Sequence, residues 1–179
     1  SAFMQTTEGL QQTLYAEMVG HIKETDVNVP YREGNYFYYS RTEKGKQYSI
    51  YCRKRESLSA TEEVVLDLTE LARGHPYLGL GAYVGSDDGN LLAYTTDTTG
   101  YRQYTLQVKD LRTGQLSPEK IERVGNVSWA ADNKTLFYTT EDAVTKRRDK
   151  FYRHTLGSDK SELLYDEKDE LYDIDANRS

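Results

Sequence analysis

Short alternating runs of apolar and polar residues, each closed by turn residues, occupy most of the chain. The clearest is Ser86 to Leu111. Asp88-Gly89 marks a turn, Leu91–Thr96 is rich in strand formers, and Asp97 to Gly100 supplies the next turn. In the strand that follows, Tyr104, Leu106 and Val108 share one face, while Gln103, Thr105, Gln107 and Lys109 share the other, as a period of two requires. The hairpin recurs. Asp88…Tyr94-Thr95-Thr96-Asp97 returns as Asp132…Tyr138-Thr139-Thr140-Glu141, an offset of 138 − 94 = 44 residues. Upstream, Gly34-Asn35…Tyr39-Ser40 matches Gly89-Asn90…Tyr94-Thr95 at 94 − 39 = 55, and Gln47–Ile50 echoes Gln103–Leu106 at 103 − 47 = 56. Several short strands repeating every 40–50 residues or so are the signature of β-propeller blades, small sheets that cannot bury their faces without neighbours.

The pattern predicts an all-β chain of about three propeller blades, preceded by an N-terminal α-helix. The helix spans Thr6 to Lys23, with Leu10, Leu14, Met18 and Ile22 on one stripe. Residues 1–30 form helix and connector, and residues 31–179 the partial propeller. Blades are expected at 31–68, 77–124 and 125–166. In the first, strands are read at Tyr36–Tyr39, Gln47–Arg53 and Glu63–Asp67. Leu68 to His75 is a helical turn or a loop. Tyr77–Val84, with Gly79 and Gly81, opens the second blade as its crowded inner strand, and the charged run Glu119–Val124 closes it as an exposed edge. Asn126–Trp129, Leu136–Thr140, Lys150–Thr155 and Glu162–Tyr165 make the third. Leu171–Ile174 is read as the first strand of a fourth blade. Three blades and one strand do not close a ring, so the chain is expected to be the N-terminal part of a longer protein, with open faces prone to self-association.

Composition narrows the function. Tyrosine is abundant, 16 residues against four Phe and one Trp, which suits strands whose rings are buried and whose hydroxyls reach polar partners. The net charge of −6 disfavours a nucleic-acid partner. No apolar run reaches membrane-spanning length and no basic-then-apolar leader is visible. A lone cysteine, Cys52, precludes an intrachain disulfide. Together these predict a cytoplasmic chain, or a periplasmic one if a leader has been removed.

No residue is assigned a catalytic, cofactor-binding or metal-ligating role, and no cofactor is implied. A G-x-S-x-G turn is absent, and Gly85-Ser86 leads only into a turn. His21, His75 and His154 fall on the helix, a loop and an outer strand, and are read as surface or half-buried residues. Cys52 is read as a small core residue. Asp173–Asn177 copies the first half of a calcium loop but has Arg178 where glycine is required. Lys146–Lys150 is a basic cluster at a hairpin tip, read as a solvated turn. Asn126-Val127-Ser128 and Asn133-Lys134-Thr135 match the glycosylation sequon, read as chance matches.

Several motifs in order resemble the propeller of the oligopeptidase B (protease II) branch of the prolyl oligopeptidase family of serine peptidases. They are Ile22–Asp26, Val29–Arg32, Tyr36–Arg41, Gly45–Tyr48, Ile50–Arg53, Leu91–Arg102, Val108–Leu111, Trp129–Asp132 and Leu136–Tyr138. The resemblance runs from about Leu14 to Tyr172. It implies part of a seven-bladed propeller that covers a C-terminal α/β-hydrolase domain carrying a Ser-Asp-His triad, admits short peptides and excludes folded proteins, with cleavage after Arg or Lys. The implied partners are that hydrolase domain, the remaining blades and peptide substrates. None of the family's catalytic residues maps onto this chain, so the segment alone is expected to be inactive. The alternative is a free-standing truncated propeller that binds a protein or peptide at an open sheet edge.

Overall fold

The computed structural model describes residues 12, 13, 17 and 26–178. Gln12, Thr13 and Glu17 are helical and exposed. The rest of the expected helix, including its apolar stripe and His21, lies outside the described residues.

Three four-stranded antiparallel sheets follow, each a meander in chain order. The first comprises β1 (Tyr31–Glu33), β2 (Tyr36–Arg41), β3 (Ile50–Arg55) and β4 (Glu62–Asp67). A single helical turn, α1 (Leu68–Leu71), crosses to the second, with Asp67 as its N-cap accepting from the Thr69 and Glu70 amides. That sheet holds β5 (Gly79–Gly85), β6 (Leu91–Asp97), β7 (Thr105–Asp110) and β8 (Leu116–Glu122). One residue, Arg123 at φ 58°, links it to β9 (Val124–Trp129), β10 (Thr135–Glu141), β11 (Arg148–Thr155) and β12 (Glu162–Asp166).

The sequence repeat is the structural repeat. Second strands begin at Tyr36, Leu91 and Thr135, and 91 − 36 = 55 and 135 − 91 = 44 reproduce the two offsets. Strand alternation then sends each face to a different neighbour. Tyr38 and Val65 of the first sheet meet Leu92 and Tyr94 of the second. Ala93, Leu106 and Val108 on the other face of the second sheet meet Val127, Trp129, Leu136 and Tyr138 of the third. Fully buried side chains such as Leu106 and Leu136 each contribute roughly 1.5–3 kcal/mol of transfer free energy, so the blades hold one another. The faces turned outward are Tyr39, Ile50 and Cys52 on the first sheet, and Phe137 with Phe151 on the third, their rings stacked 5.9 Å apart.

The structure corrects several local expectations. Tyr31–Glu33, inside the expected range of the first blade but ahead of its first expected strand, is itself a strand, paired with β2. The third strand starts at Ile50 rather than Gln47. Leu171–Ile174 forms no strand. A strand needs a ladder partner, and this segment's backbone makes only isolated bonds, among them the Ile174 amide to the Arg148 carbonyl at 2.8 Å.

Candidate functional site

The candidate surfaces are the first strands of the three sheets, β1, β5 and β9, and the seams between sheets. Two of them, β5 and β9, share a device. In β5 the register shifts between Leu80 and Tyr83, and the Ala82 amide donates to Thr95 Oγ1 at 2.7 Å. In β9 the Asn126 amide donates to Thr139 Oγ1 at 3.2 Å at the matching shift. These pairs are again 44 residues apart. A Cβ on Gly81 would collide with Thr95 Oγ1 and lie 2.9 Å from the Tyr104 ring. The glycine at 81, and Gly125 in β9, therefore let the bulge close onto the threonine. Thr95 and Thr139 belong to the 44-residue repeat of the hairpin, and Gly81 and Gly125 extend that repeat to the inner strands.

A cleft runs along the seam between the first two sheets. Tyr31, Tyr38, Tyr51 and Tyr83 line a cavity of about 210 Å³, with Tyr51 and Tyr83 centroids 4.8 Å apart and Tyr31 and Tyr38 at 5.8 Å. Burial, then the neighbouring hydroxyls, raises the Tyr83 phenol above its ordinary value. Two further hollows lie beside it, one lined by Glu33 and Gly85 and one lined by Asp87 and Asp88. Beneath it lies Arg53, 4% exposed. Its guanidinium stacks 4.0 Å over Tyr36, pairs with Glu63 at 2.7 Å and donates to the Gly89 carbonyl of the β5–β6 turn at 2.5 Å, pinning one sheet to the next.

The seam between the second and third sheets is closed. Trp129 Nε1 donates to the Val84 carbonyl at 2.9 Å. The side chains of His154, expected to be surface or half-buried, and Glu119, expected on an exposed edge, are both buried here, with Nε2 3.9 Å from Glu119 Oε1 and Nδ1 3.1 Å from Ser161 Oγ. Alternation turns both inward because β8 and β11 close over the same core. Burial raises the Glu119 carboxyl, but bonds from Ser117 and the Gly157 amide outweigh it and hold it below the ordinary range. The bond that joins the two sheets here is the Gly157 amide to Glu119 Oε1; His154 Nε2 is buried without a hydrogen-bond partner, so serine, histidine and carboxylate do not form a connected relay.

The remaining sequence candidates have local roles. Ser86 Oγ donates to Asp88 and accepts from the Leu91 amide. Cys52 is fully buried, and burial pushes its thiol up to about 11. The basic cluster is engaged rather than solvated: Arg147 donates to the carbonyls of Glu167, Asp169 and Tyr172. Arg148 and Asn126 engage Asp173 and Asp175. Arg178 forms a bidentate pair with Asp87 at 2.6 and 2.7 Å, carrying the last described segment back to the second sheet. Within the sequons, Asn126 is thus tied to Asp175, and Asn133 Oδ1 accepts from the Asp88 amide. No helix among the described residues is long and apolar enough to cross a membrane.

Comparison with known proteins places this architecture. A family model described as the prolyl oligopeptidase N-terminal β-propeller domain matches residues 1–179. Dipeptidyl aminopeptidase BI of Pseudoxanthomonas mexicana is 36% identical over 99% of this chain and 27% of its own length. Protease 2 of Moraxella lacunata is 37% identical over 98% of this chain and 27% of its length. Among solved structures, oligopeptidase B from Trypanosoma brucei, in a closed form with covalently bound antipain, superposes with a TM-score of 0.82 at 31% identity, covering 97% of this chain and 25% of that one. The chain thus spans about a quarter of the length of the relatives it matches.

Proposed function

The chain belongs to the prolyl oligopeptidase family, as part of its N-terminal β-propeller, and from that membership we propose that it gates peptide entry to a serine-type endopeptidase site that cleaves short peptides after Arg or Lys. The observation that carries this reading is the side-by-side arrangement of the blades, with inner strands β5 and β9 in contact and sheet faces packed in sequence. Blades so arranged are a rigid sector of a ring around a channel. Such a wall acts by exclusion and positioning and does no bond chemistry. The nucleophile, base and acid belong to a hydrolase domain outside this chain.

The test is a chimera in which this chain replaces the matching residues of a full-length relative, assayed against Arg-containing chromogenic peptides of increasing length and against a folded protein. Cleavage of the short peptides only, with no activity from the 179-residue chain alone, is the expected result. Equal cleavage of long and short substrates, or activity in the isolated chain, overturns it.

The outward Phe137–Phe151 pair, with Tyr165 beside it in register and 52% exposed, favours a second reading as an interaction module. A stable, stoichiometric complex of the chain with a protein unrelated to peptidases would support that reading over the first.

A further inference from the structure

We propose that the hollow between α1 and the outer half of the second sheet is a binding site for a small hydroxylated anion, of the chemical class of a sugar phosphate or a sugar acid. Its volume is about 440 Å³, within the roughly 300–1,000 Å³ of cavities that enclose small molecules.

The hollow follows from the two faces of β7 and β8. On one face Leu106, Val108 and Ile121 pack against the third sheet. On the other, the register aligns Thr96, Thr105 and Glu122 in one row, and Tyr94, Gln107 and Lys120 in the next. The first sheet covers the Leu92 and Tyr94 part of that face and leaves the polar remainder unfilled. Leu71 of α1 and Leu78 of the connector wall it, and Thr98 and Gln103 of the β6–β7 loop close one end. Three separate elements therefore make the surface concave where a strand face alone would be flat.

The polar groups on this lining are not committed to one another. Thr96, Thr98, Gln103 and Thr105 make no side-chain hydrogen bond among the described residues. Gln107 offers only its carbonyl to the Tyr94 hydroxyl, at 3.5 Å, which leaves its amide donors. Glu122 is the one acid on the lining and has no ion pair among the described residues; a carboxylate among hydroxyls and amides accepts hydroxyl donors. Lys120 and Arg123 stand on and just after β8, also without an ion pair among the described residues, and His75 brings a ring from the connector.

The charges around it leave a positive excess. Asp97 is buried and bonded by the Thr99 and Arg102 amides. Arg73 pairs with Glu70, and Lys109, one row further along the same face, donates to the Val65 carbonyl. Arg102, exposed on the β6–β7 loop, adds to the positive side. Two cations at the β8 edge suit an oxyanion, and the neutral groups with Glu122 suit hydroxyls. A bare oxyanion would meet Glu122 with nothing to bridge them, and a neutral sugar would make no use of Lys120 and Arg123, so the lining matches a ligand that carries both kinds of group.

Calorimetric titration of the 179-residue chain at fixed ionic strength tests this. The probes are glucose carrying a phosphate on its terminal carbon, gluconate, free glucose and inorganic phosphate. The expected result is that one of the two hydroxylated acids binds once per chain, with a Kd at least about 3–10-fold below those of free glucose and of inorganic phosphate. Which acid binds more tightly identifies the anionic group. Lys120→Gln should weaken that binding by about 3–10-fold. Thr105→Val, which keeps the shape and removes the hydroxyl, should weaken it by a similar factor. Lys134→Gln, the same charge change in the β9–β10 turn, should leave it unaltered, with circular dichroism confirming the fold of each variant. No binding of any probe up to about 10 mM, an equal affinity for glucose or for inorganic phosphate, or equal losses in Lys120→Gln and Lys134→Gln overturns the proposal.

Discussion

Replacing Arg53 by Met removes a guanidinium that is 4% exposed while keeping most of its aliphatic volume. Three interactions go with it. The charge-assisted bond to the Gly89 carbonyl contributes about 1.5–3 kcal/mol, and the stacking over Tyr36 about 1–2 kcal/mol. The Glu63 pair contributes little, about 0–1 kcal/mol, because Glu63 is 44% exposed and returns to water when its partner is lost. The Met side chain recovers about 1 kcal/mol by packing in the same seam. The net cost is about 1.5–5 kcal/mol, or roughly 3–20 °C in Tm for a domain of this size.

The mirror substitution, Glu63→Gln, leaves the guanidinium buried but still bonded to Gly89 and stacked on Tyr36, and should cost about 1–2 kcal/mol. Arg53→Lys retains the charge but not the forked geometry that serves Glu63 and Gly89 together, and should fall between the two. Urea unfolding followed by far-ultraviolet circular dichroism, with m unchanged, measures all three. Arg53→Met within about 0.5 kcal/mol of the parent chain, or Glu63→Gln costing more than Arg53→Met, would show that the seam is held by its apolar contacts alone.

Trp129→Phe should cost about 2–4 kcal/mol, since it leaves the Val84 carbonyl unpaired in a dry seam and opens space beside Leu106 and Leu136; a urea midpoint unmoved at constant m would contradict the assigned packing. Acid stability should show a positive slope with pH below about 5. The carboxyl of Asp97, raised by burial but lowered further by bonds from Thr99 and the Thr99, Arg102 and Gly100 amides, lies below its ordinary value, as do those of Asp88 and Asp132. Groups with depressed folded-state values contribute stability that is full above the unfolded value and is lost as pH falls through the folded one. Glu141, raised by burial, acts in the opposite sense but is outnumbered. Asp97→Asn should lower stability at neutral pH and flatten the acid slope, and chemical unfolding at pH 3 to 7 reads both.

How much of this was legible depends on distance along the chain. Periodicity of two, turn pairs such as Asp88-Gly89, and offsets of 44 and 55 residues are local properties. They determined the strands of the second and third blades, the all-β class and the repeat, because alternation and turn chemistry act within a few residues. The motif order also carried the family resemblance. Local pattern was silent wherever a strand is too short or too irregular to alternate, as at Tyr31–Glu33, and it made a strand of Leu171–Ile174, whose partner would have to come from another part of a blade. It also misplaced Glu119 and His154. Each looks like a surface residue among charged neighbours, and only the closure of one sheet over the next put them face to face. The Arg53 fastener and the tyrosine cleft are of the same kind, joining residues from β1, β3, β5 and the turn after it. Sequence alone determined which elements form and how often they repeat. Which faces meet, and hence where a buried charge is matched and where a cavity remains, was decided by the packing of one blade on the next, since a contact across a seam depends on both sheets' register and no short stretch of chain encodes both.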